Sequence, residues 1–172
     1  MNAIELLKAD HARVQALFRQ YEAAENQAQS QRELAEQIFT ALEVHATLEE
    51  ELFYPAVRAQ LGTVTVEDEP TGAADGDADT DEAGGDADTD LVTEALEEHQ
   101  EVKTLIATLR GLEPGEAQFQ EASAELREGV EEHVGMEEDE LMPAVAAVLG
   151  RELERLGQQL EARKEQLMAG KA

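Results

Sequence analysis

Cysteine and tryptophan are both absent from this chain of 172 residues. Without thiols there are no disulfides, no thiolate nucleophile, no zinc finger and no cysteine-held iron–sulfur cluster. Any metal must be held by imidazole and carboxylate. Aromatic residues make up only 3% and prolines number 4, while Ala, Leu, Glu and Gln abound. These are strong helix formers, so the composition favours an all-helical chain. No apolar run reaches membrane-spanning length, and Met1-Asn2-Ala3-Ile4-Glu5 lacks the basic and apolar start of a secretory leader. The sequence therefore reads as that of a cytoplasmic protein with no membrane partner. Positive charge is the remaining scarcity: 13 Lys and Arg face 40 Asp and Glu, for a net charge of −27. Nucleic acid and anionic membranes would repel such a surface, so neither is expected as a partner. Apolar residues still make up 42%, enough for the core of one domain with an appendage.

What is present is a repeat. His45-Ala-Thr-Leu-Glu49-Glu-Glu-Leu-Phe-Tyr-Pro55-Ala-Val57 matches His133-Val-Gly-Met-Glu137-Glu-Asp-Glu-Leu-Met-Pro143-Ala-Val145 at an offset of 88 residues. The same offset carries His11 onto His99, and Ile4, Val14 and Phe18 onto Val92, Val102 and Ile106. All 4 histidines of the chain fall on this repeat. Each half reads as two helices with a one-faced seam spaced by three and four. The first seam is Ile4, Leu7, His11, Val14, Phe18 and Tyr21. The second is Leu34, Ile38, Leu42, His45, Glu49 and Leu52. The third is Val92, Ala95, His99, Val102, Ile106 and Leu109, and the fourth is Leu126, Val130, His133 and Glu137. Asn2 with Glu5, and Ser30 with Glu33, predict capping boxes at the first two starts. Pro114-Gly115 separates the last two helices.

The spacing predicts helices near 2–25, 31–60, 91–111 and 116–148 in an antiparallel up-down-up-down four-helix bundle spanning 1–149, with a further C-terminal helix over 150–172. Between the halves lies a long acidic segment, 62–90, and 11 of the acids fall between Glu67 and Asp90. With almost nothing to bury, it is expected to be a flexible linker. A calcium loop through Asp75, Asp77 and Asp79 is the sharper alternative, but the glycine and glutamate of an EF-hand are missing. The tail stripe Leu153, Leu156, Leu160 and Leu167 predicts a helix lying on the bundle; a homodimer seam is its alternative.

One inward histidine is usually a core residue with a single hydrogen bond, but four on core seams, two followed at i+4 by glutamate, are a different matter. That spacing puts His45 with Glu49, and His133 with Glu137, on one helical face about 6 Å apart along the axis. Ionised carboxylates on a core seam are unfavourable without a compensating positive charge, and no Lys or Arg occupies the seams. His11 and His45 lie at matching distances from the first turn, and His99 and His133 flank the second, so one layer can hold all four. Two ligand sets related by a pseudo-twofold imply two metals with the glutamates between them. One metal, or a metal-free core, is the alternative. Imidazole plus carboxylate suits iron, manganese or zinc. The candidate ligands are His11, His45, Glu49, His99, His133 and Glu137. The neighbouring Glu50, Glu51, Glu138 and Asp139 read as a solvated face, with an outer supporting role as the alternative.

These residues resemble the hemerythrin-like, HHE cation-binding family: a solitary His in the first and third helices, His-x-x-x-Glu in the second and fourth, a Glu-Glu doublet in each, and a Pro ten residues past each of His45 and His133. The resemblance covers nearly the whole chain apart from the linker and the tail. It implies a non-heme di-iron centre with an oxo or hydroxo bridge. One iron would take His11 and His45, the other His99 and His133, with Glu49 and Glu137 bridging. Oxygen-carrying members have a fifth histidine one turn past the His of the third helix, where this chain has Lys103, which leaves a position open to exogenous molecules. The four-His, two-Glu set is more similar to the iron-centre repair and stress-response branch, without that branch's N-terminal cysteine-containing module. The resemblance thus implies binding of, or reaction with, O2, NO or peroxide in oxidative or nitrosative stress. An O2 carrier or sensor, and an iron storage or transfer protein, are the alternatives. Of the two tyrosines, Tyr21 is about three turns from His11 and Tyr54 more than one turn past Glu49.

Overall fold

The computed structural model describes residues 1–25, 27–62, 64 and 90–170. Among these, every regular element is helical. Helix α1 spans Ala3–Ala23. Helix α2 runs over Ala28–Leu48, passes through one π turn at Glu49–Phe53 and resumes over Tyr54–Leu61. Helix α3 is Leu91–Arg110. Helix α4 copies α2: Ala117–Met136, a π turn at Glu137–Leu141, then Met142–Leu149. Helix α5 is Glu152–Ala169. Short turns pair α1 with α2 and α3 with α4 as antiparallel neighbours, giving the expected bundle, with α5 laid against α1 and α2.

The helix starts reflect local chemistry. Asn2 Oδ1 accepts from the Glu5 amide at 3.0 Å and Glu5 Oε2 accepts from the Asn2 amide at 2.9 Å, the predicted capping box. The box expected at Ser30 and Glu33 does not form. The turn after α1 closes with the Gln27 amide donating to the Ala24 carbonyl, and the helical ladder is already under way when the Gln31 amide reaches the Gln27 carbonyl. Ser30 therefore lies inside the helix, and Glu33 accepts from the Gln29 side chain instead.

Both π turns sit immediately ahead of Pro55 and Pro143. A proline within a helix has no N–H, and its ring collides with the carbonyl four residues back. Widening the preceding turn relieves the collision, and the Tyr54 and Met142 amides bond five residues back, to the Glu49 and Glu137 carbonyls. The extra residue re-aims the side chains of the next turn: Phe53, Tyr54 and Val57 are buried while Leu52, expected on the seam, is only half-buried.

The core has two apolar parts. One gathers Leu7, Leu48, Phe53, Val57, Val92, Leu141 and Val145 with Leu153, Leu156 and Leu160 of α5. The other gathers Val14, Phe18, Ile38, Leu42, Val102, Ile106, Leu126 and Val130. The histidine layer lies between them along each helix. Leu153, Leu156 and Leu160 of the tail stripe are thus buried on the chain's own bundle, with Leu167 half-buried at its end. Gly157 makes that possible: a Cβ there would meet the Met1 carbonyl oxygen and come within 2.8 Å of Asn2 C and 2.9 Å of Ala3 N.

The linker and its calcium-loop alternative fall almost wholly outside the described residues. Their described ends are joined: the Val64 amide donates to Asp90 Oδ1 at 3.0 Å, the Leu91 amide to the Val64 carbonyl at 2.8 Å, and Arg58 to Asp90 Oδ2 at 2.8 Å. No helix among the described residues is long and apolar enough to cross a membrane.

Candidate metal centre

All six residues singled out by the repeat come together, and all are buried; Glu49 and Glu137 are fully inaccessible. The histidines form two pairs. His11 Nε2 lies 3.1 Å from His45 Nε2, and His99 Nε2 lies 3.2 Å from His133 Nε2. Each glutamate stands between the pairs. Glu49 Oε2 is 3.1 Å from His45 Nε2 and 3.2 Å from His99 Nε2. Glu137 Oε2 is 3.3 Å from His11 Nε2 and 3.6 Å from His133 Nε2. Two overlapping clusters of donor atoms result, one of His11, His45, Glu49 and Glu137, the other of Glu49, His99 and His133, each within 4.8 Å.

The outward nitrogens are supported in turn. His11 Nδ1 faces Glu138 Oε1 at 2.8 Å, His99 Nδ1 faces Glu50 Oε1 at 3.0 Å, and His133 Nδ1 faces Glu98 Oε2 at 2.7 Å. A carboxylate at Nδ1 keeps a proton there, so Nε2 is the nitrogen offered to the layer, as a lone pair once any proton on it has left. The outer carboxylates are themselves held. Lys103 Nζ donates to both oxygens of Glu50, at 2.6 and 2.8 Å, and Lys8 pairs with Glu138 at 3.3 Å. Glu50 and Glu138 are thus supports rather than the solvated face expected of them, whereas Glu51 pairs with Arg163 of α5 and Asp139 is exposed. Lys103 points its charge at Glu50 instead of standing free over the layer.

A regular helical period would leave Tyr54 too far away. The π turn brings its hydroxyl into the layer, donating to Glu137 Oε1 at 2.8 Å, with Glu49 Oε2 and His99 Nε2 each 3.4 Å away. Its repeat counterpart is Met142, so this support exists on one side only. Glu98 also escapes a reading of the sequence, because its contact with His133 crosses between helices.

Charge inside the layer is unbalanced. Burial works against ionisation of Glu49, yet the facing His45 and His99 hold its carboxyl well below the usual range. Burial likewise works against protonating His133, but the hydrogen bond to Glu98 and the charges of Glu137 and Glu49 raise it to about 9. His11 is raised for the same reasons, through Glu137, Glu49 and Glu138. Burial, then the charges of Glu49 and Glu137, push the Tyr54 hydroxyl well above its ordinary value, so it stays a proton donor. Glu49 Oε1 and Glu137 Oε2 are buried with no hydrogen-bond partner. Converging Nε2 atoms, two fully buried carboxyl groups and orphaned carboxylate oxygens are what a cation in the layer would satisfy.

A helical bundle with a buried histidine–carboxylate layer defines a cation-binding class of protein. The Hemerythrin HHE cation binding domain matches residues 2–145, and the chain belongs to that family. A crystal structure of a Hemerythrin HHE cation binding domain-containing protein from Mycobacterium kansasii superposes over 99% of this chain and 89% of its own with a TM-score of 0.74, at 24% identity, and so shares the fold. Among curated relatives, an uncharacterized protein of Mycobacterium tuberculosis is 27% identical over 169 residues, 97% of this chain and 88% of that one. A protein named DNA nickase from Nostoc sp. is 28% identical over 152 residues, 88% of this chain; the match spans only 36% of that relative.

Proposed function

We propose that the chain holds two iron ions in this layer, His11 and His45 on one, His99 and His133 on the other, with Glu49 and Glu137 bridging, and that the centre binds or reacts with O2, NO or peroxide. The observation that carries this is the placement of the two carboxylates: one oxygen of each glutamate lies within 3.1–3.6 Å of an Nε2 from each histidine pair.

Iron, when bound, supplies redox chemistry and positions for an exogenous ligand. The chain's own residues do the rest. Glu138, Glu50 and Glu98 orient His11, His99 and His133. Tyr54 holds its proton and directs it at Glu137 Oε1. Val14, Leu42, Val102, Val130 and Val134 join the four histidines around a void of about 20 Å³, almost wholly apolar, with room for one water-sized molecule. That size and lining suit a molecule as small as a diatomic or peroxide. The chain has no fifth histidine beside His99: Lys103 stands there, tied to Glu50, and cannot ligate when protonated. Burial of all six ligands favours a resident centre over iron held as cargo. A cytoplasmic role in oxidative or nitrosative stress fits this chemistry. The nickase activity in one relative's name is not extended to this chain, whose net charge of −27 opposes DNA.

Metal analysis of protein purified without added iron should give close to two irons per chain, with anomalous peaks roughly 3–4 Å apart. Glu49→Ala and Glu137→Ala should each release iron. Stopped-flow mixing of reduced protein with O2, peroxide or NO should show oxidation, or consumption of the reagent. One metal per chain, or none, overturns the di-iron reading; a stable, reversible O2 adduct moves the carrier ahead.

A further inference from the structure

The offset of 88 residues relates not only the inner residues but also their outer partners. His11 with Glu138 maps onto His99 with Glu50, and both contacts are present. His133 with Glu98 maps onto His45 with Asp10. That fourth contact does not close: His45 Nδ1 and Asp10 Oδ2 are both buried, and neither has a hydrogen-bond partner. A donor and an acceptor that the pseudo-twofold places as partners are thus left over together. Two differences break the symmetry. Aspartate is one methylene shorter than Glu98, and Asp10 Oδ1 is ion-paired with Lys164 of α5, a helix with no counterpart in the repeat.

Resting on the two-metal function proposed for this layer, we propose that Asp10 is the positioning residue of His45, its Oδ2 taking the Nδ1–H directly or across one water, with Lys164 anchoring the opposite oxygen. Two buried orphans of complementary type are costly apart and satisfied together. A single water meets the size and polarity such a gap requires. The consequence is functional asymmetry. The ion held by His11 and His45 has one histidine whose orientation depends on the fifth helix, whereas the ion held by His99 and His133 depends on the bundle alone.

The test is titration of the metal-free full-length chain with Co(II), whose visible bands report ligand geometry, in wild type, Asp10→Asn, Asp10→Glu, Lys164→Gln and Glu98→Gln. Wild type should take up two ions. Asp10→Asn should weaken one of them by about 10–100-fold and alter its bands, the usual effect of losing an outer partner. Glu98→Gln should weaken the other ion, and Asp10→Glu, which matches the length of Glu98, should preserve both. Lys164→Gln, which frees the opposite oxygen of Asp10, should weaken the same ion as Asp10→Asn, by a smaller factor, and leave the other ion unchanged. In Zn(II)-loaded protein, nitrogen-detected NMR should show a protected His45 Nδ1–H in wild type and Asp10→Glu. This measurement stands even where Asp10→Asn fails to fold. Wild-type affinities and bands in Asp10→Asn, or an unprotected His45 Nδ1–H in both wild type and Asp10→Glu, would overturn the proposal. A wild type that does not take up two ions would instead overturn the two-metal reading, and this inference with it.

Discussion

Protons and metal compete for the same buried charge, and pH should expose the competition. In the metal-free protein His133 is held at about 9 against an ordinary 6.5, because Glu98, Glu137 and Glu49 outweigh the burial that opposes its protonation. A folded-state value above the unfolded one means stability that is fully present below 6.5 and is lost as pH rises through about 9. The difference corresponds to about 3 kcal/mol. For a chain of this size that is on the order of 6–12 °C in melting temperature. His11 shifts in the same direction, but it shares Glu137 and Glu49 with His133, so its contribution is not simply additive. Glu49 acts at the other end. Its folded value is depressed, so its contribution is present above the ordinary carboxylate range and is lost as pH falls through the depressed value. With no cysteine in the chain and only 4 histidines, little else titrates between pH 6.5 and 9. The assay is thermal or urea unfolding at pH 6 and pH 9.5, on metal-free and metal-loaded protein. The metal-free form should lose stability across the interval and the loaded form should lose far less, since a bound cation replaces the protons. Loading at pH 7.5 should release protons, visible as a dependence of the calorimetric heat on buffer ionisation enthalpy. Equal losses in both forms would point to general repulsion across the acidic surface, and a flat metal-free profile would mean that the histidines are not charged by the glutamates.

The packing makes two further outcomes measurable. Tyr54→Phe removes the donor to Glu137 Oε1 and should destabilise the metal-free protein by about 1.5–3 kcal/mol, the range for a hydrogen bond to a charged group; an unchanged urea midpoint would show that this hydroxyl is not engaged. Gly157→Ala gains about 1 kcal/mol of helix propensity but drives a methyl into the backbone of Met1, Asn2 and Ala3, so circular dichroism melting should show net destabilisation; a raised melting temperature would mean that α5 moves off α1 without penalty.

How much of this is legible in the sequence depends on which interactions are local. The repeat, the seams and the i+4 His–Glu pairs all live on single helices, and they suffice for the bundle and for every histidine and glutamate of the inner layer. The outer supports do not. Glu50 lies one residue beyond Glu49, off the seam of its own helix, and reads as solvated until α3 is set beside it and His99 turns its Nδ1 toward it. Glu98 and Glu138 are opaque for the same reason: their partners, His133 and His11, stand on other helices. The Ser30 box fails because a capping signal carries no information about whether the helix has already begun.

Tyr54 escapes for a different reason: a single 3.6-residue period does not hold where the backbone leaves it. Five residues separate Tyr54 from Glu49, and in a regular helix that spacing would rotate its ring well away from the carboxylate. The π turn makes five residues one turn, so the two stack. The signal is Pro55, matched by Pro143, because a proline at that depth in a helix must be accommodated by the turn before it. The widening therefore does two things at once. It relieves the prolines, and it turns the residue just ahead of each proline inward: Tyr54 into the layer beside the glutamates, Met142 into the apolar core. The repeat supplies the backbone device twice but a hydroxyl only once, with Met142 in the corresponding position. The two inner carboxylates are alike in their histidines, but the one hydroxyl between them stands closer to Glu137, at 2.8 Å, than to Glu49, at 3.4 Å, so any chemistry at this layer that depends on a proton beside a carboxylate is weighted toward the Glu137 side.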